Sequence, residues 1–188
     1  MRQQLNLIFL FSLAFSAAAS EKSFTLTSTD IAEGVMMSKT QEYNGFGCNG
    51  GDVSPQLAWS NAPKGTKSFA VTVYDPDAPT GSGWWHWQIV NIPSTTTQLV
   101  KDAGNVNNQS APKDSQQNIN DYGSRSFGGA CPPVGHGTHH YIFTVHALSV
   151  EKLELEEDAS GALAGYMINA NTIESAKIVA LYKREKSK

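Results

Sequence analysis

Long apolar runs are the first thing this sequence has little of. Past residue 15 no stretch approaches the roughly 20 residues that a membrane-crossing helix needs, so no later segment is expected to span a bilayer. Charge is sparse as well, at 16% of residues, and there is no basic excess: 14 Lys and Arg stand against 17 Asp and Glu, a formal net charge of −3. Without a basic stripe, nucleic acid is excluded as the expected partner. The same balance weakens any general attraction to anionic membrane surfaces. Internal repeats, interdomain linkers and low-complexity tracts are missing too. A chain of 188 residues with 40% hydrophobic content therefore reads as one globular domain with a sizeable core.

What is present begins with a leader-like segment. One positive charge in Met1-Arg2-Gln3-Gln4 precedes an apolar run from Leu5 to Phe15, and Ala17-Ala18-Ala19 offers small residues for cleavage. The pattern predicts a signal peptide over 1–19 and a single mature domain over 20–188, periplasmic or secreted. The alternative is an uncleaved anchor, which the shortness of the run opposes. Loss of Arg2 takes one charge from the formal −3 and leaves the mature chain at −4.

Export gives the two cysteines a meaning. Cys48 lies in FGCNGG and Cys131 in GGACPP, both in glycine-flanked loops. An even pair in an oxidising compartment is expected to bond. The bond would close a long loop and contribute roughly 4 kcal/mol on the chain-entropy model. A free catalytic thiol is the competing reading.

Alternation of apolar and polar residues marks the strands. Phe24 to Ser28, Gln56 to Trp59, Phe69 to Tyr74, Gln88 to Ile92 and His139 to Leu148 all read so, and Val35-Met36 could start another. Lys101 to Gly129 is a long polar excursion, expected to border a pocket and to be tied down by Tyr122 and Phe127. Only the C-terminal part reads as helix, with Ser160 as its N-cap. Glu174 to Tyr182 fits a final strand, with helix as the alternative. The fold class expected is mainly β: an antiparallel sandwich of a large central sheet and a smaller one, with a short C-terminal helix.

The chemistry concentrates between Asp75 and Asn91, DPDAPTGSGWWHWQIVN. The Phe69–Tyr74 strand delivers Asp75 and Asp77 to a bend set by Pro76 and Pro79. Gly81 and Gly83 supply slack before Trp84, Trp85, His86 and Trp87. Acids, an imidazole and indoles at a strand end suit a small polar pocket with aromatic walls; a surface loop whose tryptophans plug the core is the plainer reading. In the later strand, alternation puts His139, Tyr141, Phe143 and Val145 on one face and His140, Ile142, Thr144 and His146 on the other.

Three blocks carry a resemblance: Asp75-Pro76-Asp77-Ala78-Pro79, then Trp85-His86 through Val90-Asn91, then Pro132-Pro133-Val134-Gly135 leading to His139-His140-Tyr141. With them the chain resembles the phosphatidylethanolamine-binding protein family, in its bacterial Raf-kinase-inhibitor-like branch of the YbhB/YbcL type. The resemblance implies a non-enzymatic binding or regulatory module that needs no cofactor. Its pocket would hold a small anionic or zwitterionic ligand such as phosphate or a phosphorylethanolamine headgroup. The implied ligand-binding positions are Asp75, His86, His139 and Tyr141, with Asp77 and Pro133 nearby. A homodimer and an unidentified protein target are also implied. The match departs at His140, where eukaryotic members carry Arg; a His does not replace that bidentate cation, so kinase regulation of the eukaryotic kind is not implied. Two other chemistries stay open on the residues alone. A hydrolase could use Asp75 and His86 as acid–base partners, although no nucleophile is evident. A metal could be held by Asp75, Asp77, His86 and His139.

Overall fold

The computed structural model describes residues 22–186, and the leader expected over 1–19 lies outside the described residues. In chain order the strands are β1 (Thr25–Thr27), β2 (Asn44–Gly45), β3 (Cys48–Asn49), β4 (Leu57–Ser60), β5 (Ser68–Asp75), β6 (Trp84–Pro93), β7 (Gln98–Leu99), β8 (Gln116–Gln117) and β9 (His139–Leu148). A helix, α1 (Gly161–Asn171), follows, and β10 (Thr172–Tyr182) ends the domain. A five-stranded sheet runs β10-β9-β5-β6-β8, a three-stranded sheet runs β1-β4-β7, and β2-β3 is a separate hairpin. Every strand pairing is antiparallel. This is the mainly-β sandwich that alternation led us to expect.

The central strand shows why these residues fold this way. Along β5, Phe69, Val71 and Val73 point into the space between the two sheets, where they meet Leu57 and Trp59 of the smaller sheet and Trp87, Phe143 and Val145 of the larger. Ala70 points to the other face and joins Val90, Leu148, Leu153 and Ile168 beneath α1. A strand buried on both faces needs β-branched and aromatic residues throughout, and SFAVTVYD supplies them. Helix α1 starts where Ser160 accepts a hydrogen bond from the Leu163 amide, the N-cap expected.

The differences from expectation lie at element ends. Strand β6 begins at Trp84 rather than Gln88, so the tryptophan-histidine cluster is strand, not loop. Val35-Met36 forms no strand; Met36 makes only an isolated bridge to Leu181. The polar excursion contributes β8, two residues that pair with Ile89 and Val90 at the edge of the large sheet. Such short pairings leave no periodicity to read.

Cys48 and Cys131 are bonded, with Cα atoms 6.0 Å apart across 83 positions of chain. The bond ties the β2–β3 hairpin to the proline loop ahead of β9. Reduction is expected to cost about 4 kcal/mol and to lower the melting temperature by about 10 °C. Thermal melts with and without reductant check this; an unchanged melt would show that the hairpin contributes nothing to the cooperative fold.

Candidate functional site

At the end of the large sheet a cavity of about 220 Å³ opens between the strand ends and two loops. That is below the roughly 300–1,000 Å³ of a drug-sized site, and so of headgroup size. Its walls are mainly apolar: Phe46 and Trp84, Tyr122 from the polar excursion, Ala78 and Pro79 after β5, and Cys131, Pro132 and Pro133 before β9. Its polar floor is Asp75, His86, His139 and Tyr141, each no more than 2% exposed.

Three strand ends build that floor. Asp75 closes the β5 row that includes Phe69, Val71 and Val73. His139 and Tyr141 open the core-facing row of β9, as alternation required. His86 arrives by a different route. In the β5–β6 pairing Val73 faces Trp87 and Tyr74 faces Trp85, which leaves His86 as an extra residue in a β-bulge. A bulge re-aims side chains. Here it lets His86 and Trp87, neighbours in sequence, both reach the core side: Trp87 in the sandwich core, His86 in the cavity.

Asp75 is fully engaged. One carboxylate oxygen accepts from the Asp77 amide at 2.8 Å, and the other lies 2.7 Å from His139 Nδ1. His139 is thus the Asp75 partner, and His86 is not the acid–base partner that a hydrolase reading pairs with this acid. His86 instead places Nδ1 2.8 Å from the Gly128 carbonyl. A carbonyl only accepts, so Nδ1 carries the proton and Nε2 carries the lone pair. Burial holds His86 below the ordinary imidazole range, against the Gly128 bond and the Asp75 charge, both of which favour the cation. Nε2 is buried and unpartnered, as are the Tyr141 hydroxyl and the Trp84 indole nitrogen. Burial, then the Asp75 charge, pushes the Tyr141 phenol up, so it stays protonated and can donate.

Asp77 requires a correction. It does not line the cavity; its carboxylate turns outward and accepts from both the ring Nδ1 (2.7 Å) and the backbone amide (2.8 Å) of His140. Burial alone would raise its pKa, but the hydrogen bonds and positive charge of His140, with a further contribution from His139, bring it below the usual carboxylate range. Pro133 does line the cavity. Among the described residues no group of three or more His, Cys, Asp and Glu side chains has the arrangement to hold a metal ion. Both cysteines are in the disulfide, so neither offers a thiol nucleophile.

Of the indoles expected to wall the pocket, Trp84 does so, while Phe46 was not anticipated. Phe46 is 72% exposed and has positive φ (48°) between two glycines, a combination that marks a shaped tip. It packs near Tyr43 and Tyr122, which stack 3.9 Å apart.

The architecture is thus an antiparallel sandwich with a small, aromatic-walled cavity over a polar floor at one sheet end. The family follows from comparison. The model of the phosphatidylethanolamine-binding protein family matches residues 27–183, and the chain belongs to that family. YbcL of Escherichia coli is 53% identical over 171 residues, 91% of this chain and 92% of YbcL. YbhB of the same organism is 45% identical over 157 residues, 84% of this chain and 98% of YbhB. The crystal structure of E. coli YbcL superimposes with a TM-score of 0.84 at 54% identity, over 85% of this chain and 98% of that one.

His146, on the opposite face of β9, lies beneath α1 beside a separate cleft. Its ring nitrogens sit 3.3 Å from the hydroxyls of Thr72 and Thr172. The Thr172 hydroxyl donates to the Ile168 carbonyl, so it accepts from His146 Nδ1, and the neutral ring is satisfied. Burial lowers its pKa from 6.5 to about 4. The sign is that of a depressed base: the favourable neutral state is fully present above 6.5 and is lost as pH falls toward 4, by about 3 kcal/mol in total. His146→Gln is therefore expected to flatten the acid-side stability loss over that window, measured by denaturant unfolding. An unchanged slope would mean that other groups carry it.

Proposed function

We propose that this protein is an exported binding module whose cavity takes a small oxyanion of the phosphate class, free or as a zwitterionic headgroup such as phosphorylethanolamine. The observation that carries this reading is the unpartnered pair on the cavity floor, His86 Nε2 and the Tyr141 hydroxyl. A buried polar atom left unpaired costs about 1–3 kcal/mol, and a pair of them facing one cavity suits a ligand that supplies both partners. A phosphate oxygen accepts from Tyr141. His86 Nε2 accepts from a protonated phosphate oxygen, or takes a proton and donates to the anion. Export rests on the leader-like residues 1–19 and on the disulfide, which suits an oxidising compartment.

The geometry refines the ligand. Each oxygen of Asp75 already accepts a hydrogen bond from the protein, which makes the aromatic wall the less contested place for the ammonium of a zwitterion. The aromatic faces of Trp84, Tyr122 and Phe46 line the wall, and a cation over such faces gains about 0.5–2 kcal/mol. On this reading the phosphate sits on the floor and the ammonium under the aromatic wall.

Protonation of His86 on binding, or capture of a phosphate monoester in its protonated form, brings one proton into the complex, so by these routes affinity rises as pH falls. Calorimetric titration of phosphate and phosphorylethanolamine into the mature protein is expected to show tighter binding between about pH 8 and pH 6, by up to about tenfold per pH unit. His86→Ala is expected to weaken binding at least about tenfold, the loss of a hydrogen bond to a charged group. If His86→Ala binds both ligands as the unchanged protein does, the cavity floor is not the site.

A further inference from the structure

One imidazole contact next to the cavity is not explained by the pocket itself. His139 Nε2 lies 2.8 Å from Nδ1 of His136, and His136 is exposed on the loop between Pro133 and β9. Its neighbours Gly135 and Gly137 have φ of 77° and 100°, backbone conformations that suit glycine and few other residues. His139, by contrast, is 1% exposed and held by Asp75. A buried ring is thus capped by an exposed one that stands between two glycines of positive φ.

Proton counting decides when the cap holds. The Asp75 carboxylate accepts from His139 Nδ1, so the only other polar atom of His139 is Nε2. A nitrogen-to-nitrogen hydrogen bond contains one proton. With no added proton, His136 Nδ1–H donates to the lone pair of His139. With one, the cationic His139 donates from Nε2 to the lone pair of His136. With two, N–H faces N–H at 2.8 Å and no bond remains, so the exposed ring leaves. The groups around the pair are Asp75 from β5, Asp77, whose charge couples to His139, and Tyr182 of β10, which faces His139 in register. Tyr141 shares its strand face with His139, His86 lines the same cavity, and the Lys186 stem packs against Gly135.

The geometry points to His136 as a displaceable internal ligand of His139: its Nδ1 occupies the place on His139 Nε2 that an oxyanion takes when it enters. This deepens the phosphate-class reading of the site and rests on it. Entry of the anion exchanges the His136 nitrogen for an oxygen on His139 Nε2: in the singly protonated pair the oxygen accepts from the Nε2–H already there, in the neutral pair the proton arrives with the anion, and in both His136 leaves the contact. The site is therefore self-inhibited when its ligand is absent.

Inorganic phosphate is the probe, titrated calorimetrically into the full mature chain and into His136→Ala and His86→Ala. Phosphate no longer has to displace a hydrogen bond in His136→Ala, so binding at neutral pH is expected to be about threefold to tenfold tighter than in the unchanged protein. Ring-nitrogen NMR of the unchanged protein gives an independent reading: phosphate should shift the His139 Nε2 signal and free that of His136. If phosphate binds and depends on His86, but His136→Ala is unchanged or weaker and the His139 signal stays still, the cap is wrong and the pocket stands. If phosphate binds neither the unchanged protein nor His136→Ala, the oxyanion reading falls and the cap with it.

Discussion

The contact between Asp75 and His139 sets the geometry of the whole site. It joins the end of β5 to the start of β9 in a place almost without solvent, with 2.7 Å between Oδ2 and Nδ1. A buried pair of this kind adds little net stability, because desolvation offsets most of the attraction. Its effect is positional. The same carboxylate holds the Asp77 amide, which turns the Asp77 side chain outward to His140. It also fixes the His139 ring, whose remaining nitrogen can then meet either His136 or a ligand. Removing the acid would leave a buried imidazole without its acceptor and the bend after β5 without its anchor.

With Asp75 committed to His139, the two cavity histidines have different standing. His139 is held by a carboxylate. His86 sits against a backbone carbonyl in a dry site and is held neutral. A floor with one ring of each kind can meet an anion with its proton still attached, since one nitrogen donates and the other accepts. The phenol of Tyr141, kept protonated by burial, adds a second donor. The hydrolase reading needed Asp75 to act on His86, and the hydrogen bonds run elsewhere.

The wall is assembled from parts distant in sequence and needs bracing. Besides the disulfide, the Arg184 guanidinium reaches the Gly47 carbonyl at 2.6 Å and the Pro132 carbonyl at 3.4 Å. A covalent bracket and a charge-assisted hydrogen-bonded one therefore hold the same two loops, the Phe46 hairpin and the proline loop. Tyr122 closes the third side, its hydroxyl donating to the Gly129 carbonyl. The polar excursion reads as featureless in sequence, yet it delivers this ring because its asparagines and serines bond to its own backbone, as Asn120 does with Tyr122 and Ser124. No hydrophobic period is needed for that.

Much of the fold was legible because alternation is a local property. Strand β9 could be bounded at His139 and Leu148 from the residues alone, its two faces sorted, and His146 separated from His139. Ser160 announced α1, and two cysteines in a chain with leader-like first residues announced their bond. The three marked blocks pointed to the family and to four residues that the structure does bring together, Asp75, His86, His139 and Tyr141. Local pattern fails where a side chain's direction depends on a partner strand. The bulge that brings His86 into the cavity exists only in the pairing of β6 with β5, and strict alternation would have set it apart from Trp87. Asp75 and Asp77, two apart in an extended reading, should have shared a face; the bend at Pro76 and the pull of His140 divided them. The sequence by itself determined which segments are strands, which faces are apolar and which residue types gather at one sheet end. Which imidazole bonds to which acceptor was decided only by tertiary structure, because a buried hydrogen bond is chosen by whatever donor or acceptor the fold brings within 3 Å.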